Sequence, residues 1–70
     1  MNAHLQIETE READGRWIAE IPSLPGALVY GDTREAAVAS VKALALRIIA
    51  ERIENGEPTP ETGDLFLVAS

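Results

Sequence analysis

Three glutamates near the N-terminus have the residue type and spacing that could support metal-dependent hydrolysis. Glu8 and Glu10 share one face of a predicted strand, and Glu20 lies on the strand predicted beside it. Carboxylates crowded on adjacent strands can bind divalent metals, as in two-metal nucleases. Magnesium sites usually combine carboxylates from several elements with a bound phosphate, however, and this sequence has no basic patch to hold one. We therefore predict a solvated acidic face, with metal-dependent hydrolysis as the alternative.

Nucleophilic catalysis has less support in the sequence. It needs a nucleophile within reach of a base that a third group orients. Ser23 lies in a predicted turn, Ser40 in the middle of a predicted helix and Ser70 at the last position, while the single histidine, His4, begins the first predicted strand. The sequence contains neither a P-loop nor a GxGxxG motif. We predict no catalytic residue, no cofactor and no metal site, and hence a protein that is not an enzyme.

The charge balance indicates which partners the surface attracts. Six lysines and arginines against twelve aspartates and glutamates give a net charge of −6. Nucleic-acid binding depends on neutralising phosphates, so this surface repels nucleic acid overall and attracts a basic partner instead. An acidic surface also simply keeps a protein soluble, and composition does not distinguish these two interpretations.

The length of 70 residues predicts one small domain with a marginal core. The chain has no cysteine for a disulfide or a thiolate metal site. Oligomerisation, as a homodimer or a larger homo-oligomer, is therefore the predicted reinforcement. No apolar run reaches membrane-spanning length, and Met1-Asn2-Ala3-His4 is unlike a signal peptide, so we expect a cytoplasmic protein with no membrane contact.

Hydrophobic alternation and turn residues predict three successive strands. Residues 4–12 alternate between apolar and polar side chains, and residues 16–21 return antiparallel after the Asp14-Gly15 hairpin turn. Pro22 ends the second strand, and Leu24-Pro25-Gly26-Ala27 has the residues of a type II turn. Residues 27–30 then form a third strand, which is too apolar for alternation to indicate its buried side. We expect Trp17, on the second strand, to be a core or interface residue.

One long helix follows, from Arg34 to Glu54. Asp32 or Thr33 is the predicted N-cap, with Asp32 and Glu35 in a capping-box pattern, and Asn55-Gly56 is the stop. Residues 57–60 are predicted to be an extended connection, and Gly63-Asp64 leads into a last strand at residues 65–69. The predicted fold is α+β in the order β-β-β-α-β, a small antiparallel sheet with one long helix packed on one face, in a single domain spanning residues 1–70.

Apolar residues occupy two sides of this helix. One set is expected to pack on the sheet: Ala37, Val41, Leu44, Ala45 and Ile48, flanked by Val38 and Ile49. A second set recurs at steps of four and three on the opposite side: Ala39, Ala43, Leu46, Ala50 and Ile53. A monomeric two-layer domain leaves that side in water, so we predict an oligomer interface of helix against helix, with an alanine-rich tolerated surface as the alternative.

An ordered set of short motifs resembles the N-terminal domain of HicB antitoxins and their stand-alone relatives. The motif residues are Asp14, Gly15, Trp17, Ala19, Pro22, Leu24, Pro25 and Gly26, then Gly31, Asp32, Thr33 and Ala36. The resemblance covers residues 5–55. It departs from the family pattern at Ala27, where the family often has Cys, and at Ala36, where a second Glu is common. The DNA-binding tail of many HicB antitoxins is not among these 70 residues, so we expect no direct nucleic-acid binding.

The resemblance implies a function that the charge is consistent with. HicB antitoxins have a partial ribonuclease-H-like fold and neutralise HicA, a small basic ribonuclease toxin, by blocking its active site. An acidic domain suits such a cationic partner, and we expect the toxin contact at Glu8, Glu10, Asp14 and Glu20. The alternative is a stand-alone homo-oligomeric module of this fold without a cognate toxin. A metal-dependent ribonuclease-H-like nuclease is the third interpretation.

Overall fold

The computed structural model describes residues 5–57 and 66–69. Four strands and one helix follow in the order β1 (Leu5–Arg11), β2 (Trp17–Glu20), β3 (Leu28–Gly31), α1 (Arg34–Glu54) and β4 (Phe66–Ala69). The predicted α+β order is confirmed, and the predicted helix bounds agree with the structure. The predicted strand ends at His4 and Leu65, the Pro58–Pro60 part of the predicted connection, and Gly63-Asp64 lie outside the described residues.

The strands form one sheet in the order β3-β2-β1-β4. β1, β2 and β3 pair antiparallel, as predicted, but β4 pairs parallel to β1, with Leu5 opposite Phe66. The predicted antiparallel sheet is therefore a mixed one. The long helix carries the chain back along the sheet, so the strand after it runs in the same direction as β3 and hence as β1.

Two short turns set the register of the antiparallel strands. In the first, the Gly15 N–H donates to the Glu12 carbonyl at 2.9 Å and Gly15 has a φ of +92°, which is the three-residue hairpin loop with a glycine bulge. In the second, the Ala27 N–H donates to the Leu24 carbonyl at 3.0 Å, and Gly26 has a φ of +91°. That bond and that φ are the features of the predicted type II turn.

Both ends of α1 are capped by local hydrogen bonds. Thr33 is the N-cap, and its hydroxyl accepts from the Ala36 N–H at 3.0 Å. The cap is one residue later than the Asp32–Glu35 pattern predicted, so Ala36 takes the position that a capping box gives to glutamate. At the other end, the Gly56 N–H donates to the Ile53 carbonyl and the Glu57 N–H to the Arg52 carbonyl, with Gly56 at a φ of +73°. This is a Schellman motif at the predicted stop.

The core lies between the sheet and one side of α1. Ala37, Val41, Ala45 and Ile49, which we call the inner helix stripe, are buried against the sheet. Leu44 and Ile48, predicted at the centre of that stripe, are only half-buried, so the helix is rotated slightly toward Ile49. The other buried residues are Leu5, Ile7, Ala19, Ile21, Leu24 and Ala27, and Trp17 packs against this cluster as expected.

Gly31 allows the sheet and the helix to approach each other closely. A Cβ at this position would lie 2.7 Å from the Ala37 nitrogen and 2.9 Å from its Cα. Only a residue without a side chain fits between β3 and the first turn of α1 at that distance. The glycine therefore fixes how closely the helix start packs on the sheet.

Candidate protein-interaction surfaces

The side of the sheet that faces away from α1 is uncovered by any described element. Its described side chains from β1, β2 and β3 include Glu8, Glu10, Ile18, Glu20, Leu28 and Tyr30, which we call the outer sheet face. They alternate with buried or half-buried inward residues such as Ile7, Ala19 and Val29. This alternation settles the orientation of β3, which its apolar sequence left open.

The strand register arranges these six residues in two rows. Glu8 lies opposite Glu20, which lies opposite Leu28. In the next row, Glu10 lies opposite Ile18, which lies opposite Tyr30. The glutamates therefore occupy the β1 side of the face, and the apolar residues occupy the β3 side.

The apolar part of this face is accessible. Leu28 is 44% exposed and Tyr30 is 48% exposed, and Ile18, between Glu10 and Tyr30 in the second row, is half-buried. A shallow depression of about 220 Å³ lies beside them, lined by Glu8, Thr9, Glu10, Ile18 and Glu20. The outer sheet face thus combines a negatively charged depression with exposed apolar side chains.

Two residues beside the outer sheet face, Thr9 and Arg16, make specific side-chain contacts. The Thr9 hydroxyl accepts from Arg34 Nε at 3.2 Å, which joins β1 to the first turn of α1. At the hairpin, the Arg16 guanidinium lies 4.6 Å from the centre of the Tyr30 ring, a cation–π geometry. The Thr9–Arg34 contact joins residues far apart in the chain, and no local sequence pattern indicated it.

Asp14 is separated from the predicted glutamate contacts. It lies in the hairpin loop, where its carboxylate accepts from the Arg16 backbone N–H at 3.0 Å and from Arg16 Nε at 2.8 Å. These hydrogen bonds, first the one from the backbone and then the one from the guanidinium, hold the pKa of the Asp14 carboxyl below its usual range. The structure therefore brings Glu8, Glu10 and Glu20 together and places Asp14 at the hairpin end, with Arg16 as its partner.

The metal-site alternative depends on three or more ligands lying close together. Within residues 5–57 and 66–69, no group of three acidic or histidine side chains is arranged to hold a metal ion. Glu8 and Glu20 are paired across two strands, but the arrangement lacks a third ligand among the described residues. His4 lies outside them.

The second candidate surface is on the opposite side of the domain. Ala39, Ala43, Leu46, Ala50 and Ile53 are all exposed, and we call them the outer helix strip. Leu46 is 51% exposed and Ile53 is 56% exposed, whereas Val41 on the inner helix stripe is fully buried. The two predicted sides of the helix are therefore distinguished by the structure, one covered by the sheet and the other left open.

Half of the twelve motif residues on which the resemblance rests have clear architectural positions. Gly15 and Gly26 adopt positive φ in turns, Gly31 permits the close helix approach, and Thr33 caps α1. Ala19 and Leu24 are buried in the core. These positions account for these six motif residues through their roles in folding.

Comparison with protein-family models, with characterised proteins and with solved structures finds no match to this chain. The HicB resemblance therefore rests on the quoted motifs. In the part of the chain that the structure describes, no helix has the length and apolar character needed to cross a membrane.

Proposed function

We propose that this domain is a HicB-like antitoxin that binds a small basic ribonuclease toxin and blocks it, without catalytic activity of its own. The observation that carries the proposal is the outer sheet face, on which paired glutamates adjoin exposed apolar residues. The motif resemblance supplies the class of partner, and the charge of −6 supplies the sign of the attraction.

The glutamate pair is better satisfied with a cationic partner than without one. Glu8 and Glu20 are directly opposite on antiparallel strands, where like charges are destabilising. An arginine or lysine placed between the two carboxylates would offset their repulsion and gain charge-assisted hydrogen bonds. A ribonuclease surface that binds RNA phosphates presents such cations, so glutamates at this position would compete with RNA for the same groups.

The apolar residues supply what charge alone does not. Electrostatic complementarity mainly speeds encounter and sets specificity, whereas buried aromatic and aliphatic side chains supply most of the affinity. Tyr30 and Leu28 are exposed at the side of the face away from the glutamates. We expect them to form the apolar centre of the contact and Glu8, Glu10 and Glu20 to form its charged side.

The test is co-expression with a short basic protein encoded beside this chain's gene, followed by purification and measurement of binding at several salt concentrations. We expect relief of toxicity and a salt-sensitive complex. Replacing the pair by Glu8→Gln and Glu20→Gln should weaken binding by about tenfold at low salt and flatten its salt dependence, because rim charges act mainly through long-range attraction.

Glu51→Gln with Glu54→Gln is the matched control. Both residues are exposed glutamates on α1, remote from the sheet face, so this variant removes two charges, as the test variant does, without touching the proposed contact. If the control variant weakened the complex equally, the loss of binding in the Glu8→Gln, Glu20→Gln variant would be an effect of net charge alone. Failure to form any complex at low salt would reject the antitoxin proposal.

The stand-alone homo-oligomeric module is the second candidate function. The observation that favours it is the exposed outer helix strip, which does not depend on any toxin. This candidate would be supported if the protein self-associated and bound none of the basic proteins encoded beside it.

A further inference from the structure

The outer helix strip has the spacing of a two-helix contact. Its members recur at alternating steps of four and three along α1, and Ala36, also exposed, continues the same series one step toward the N-terminus. This is the heptad spacing at which one helix meets another along a continuous seam. Alanines on such a seam allow two helix backbones to approach closely.

The series is self-complementary when two copies run antiparallel. Its two large residues, Leu46 and Ile53, lie toward the C-terminal end, and the N-terminal half contains only alanines. In an antiparallel pair Leu46 faces the partner's Ala43, and Ile53 faces the partner's Ala36. Ala39 faces the partner's Ala50 in the same register. Every large side chain then meets a small one, which is how well-packed cores fill space.

A parallel pair does not have these properties. In a parallel pair each residue would meet its own copy, so Leu46 would face Leu46 and Ile53 would face Ile53. The three alanines of the N-terminal half would face alanines, which would leave voids along that half of the seam. The antiparallel arrangement also places the two helix dipoles in opposite directions.

We propose that the outer helix strip pairs with the same strip of a second copy, antiparallel and around a two-fold axis between the Ala43 and Leu46 layers. This inference does not rest on the toxin proposal, because the strip and the outer sheet face lie on opposite sides of the domain. The seam from Ala36 to Ile53 is about 27 Å long. This length gives less than the standard interface area, so the dimer is weak and concentration-dependent.

The first experiment measures self-association by sedimentation over a wide concentration range. The unmodified protein should shift from monomer to dimer. Leu46→Gln with Ile53→Gln should raise the dimer dissociation constant by about 10,000-fold, because a two-fold dimer contains each residue twice and each of the four buried side chains contributes about a factor of ten. Both residues are more than half exposed, so the variant should keep its circular dichroism spectrum. Glu51→Gln, an exposed change off the seam, is the control and should dimerise normally.

The second experiment tests direction and register. The natural sequence has no cysteine, so an Ala39→Cys chain and a tagged Ala50→Cys chain can be mixed and treated with a short thiol cross-linker. In the antiparallel register these two positions face each other. Identical positions are offset by about 16 Å along the axis, beyond a short cross-linker's reach. We expect mixed cross-linked dimers. Products linking identical chains would overturn the antiparallel register, and a protein that stays monomeric at the highest concentration would overturn the dimer itself.

Discussion

The outer sheet face and the outer helix strip are both exposed and both contain large apolar residues, but their chemistry differs. The sheet face places Glu8 opposite Glu20 and exposes Tyr30 at its other side. The helix strip is mostly alanine, with Leu46 and Ile53 as its large members. An acidic face with an aromatic residue repels its own copy and favours a basic partner, whereas an uncharged alanine seam favours close packing with itself.

The comparison shows why exposed apolar residues need their neighbours for interpretation. Single exposed leucines or isoleucines are common on protein surfaces and indicate little. Here the residues around them differ in charge and size, and those differences are the basis on which we propose a different kind of partner for each surface. If the two surfaces are independent, substitutions on one should leave the other's binding unchanged.

The largest expected effect separates the outer helix strip from the core. Val41→Asp places a carboxylate among fully buried residues and should unfold the domain, since an unpaired buried charge costs more than about 4 kcal/mol. Leu46→Asp, five residues along the same helix, should change the stability of the monomer by less than about 0.5 kcal/mol. Urea unfolding at low protein concentration measures both. Equal destabilisation by the two changes would mean that the strip belongs to the core.

An intermediate effect should separate the two surfaces from each other. Tyr30→Ala removes an exposed aromatic side chain from the apolar side of the outer sheet face and should weaken binding of the proposed basic partner by about tenfold, or about 1.4 kcal/mol. The same change should leave the sedimentation of the free protein unaltered, because Tyr30 is on the far side of the sheet from α1. Titration of the partner and sedimentation of the same sample provide the two measurements. If the Tyr30→Ala protein showed altered self-association, the outer sheet face and the outer helix strip would not be independent surfaces.

The smallest effect concerns the hairpin beside the sheet face. Hydrogen bonds from Arg16 hold the pKa of the Asp14 carboxyl below its usual range, so the folded state favours the charged form. The resulting stabilisation is present above the ordinary aspartate pKa and is lost as pH falls from there through the lowered value. NMR titration of the Asp14 carboxyl should give a midpoint below the ordinary value, and Arg16→Leu should move it part of the way back. A midpoint in the unmodified protein at or above the ordinary value would contradict this account.

Local patterns in the sequence predicted most of the fold. The Asp-Gly and Pro-Gly turns, the glycine stop at Gly56 and the helical period on α1 each depend on neighbouring residues, and the structure has them at the expected positions. The parallel pairing of β4 with β1 joins opposite ends of the domain, so no local pattern specified it. The same limit applies to the contact between Thr9 and Arg34.

The sequence predicted more of the outer helix strip than of the outer sheet face. The exposed side of α1 followed directly from the helical period, and all five of its predicted residues are exposed. The glutamate cluster followed from strand alternation, but the contribution of Leu28 and Tyr30 was missed because β3 is apolar at nearly every position. The Pro25-Gly26 turn contained the missing information. It places Ile21 opposite Ala27, with a hydrogen bond of 2.9 Å, and counting back from that pair puts Leu28 and Tyr30 on the side of Glu20 and Ile18.

The pairing of β1 with β4 also has a consequence for biosynthesis. Leu5 is among the first described residues to leave the ribosome, yet its strand partner, Phe66, emerges only after the helix and the segment that follows it. Until then, one edge of β1 has unpaired backbone groups that other strands can bind. The nascent domain therefore passes through a stage in which its hairpin, third strand and helix can already pack together while this edge is still open to chaperones or to other nascent chains.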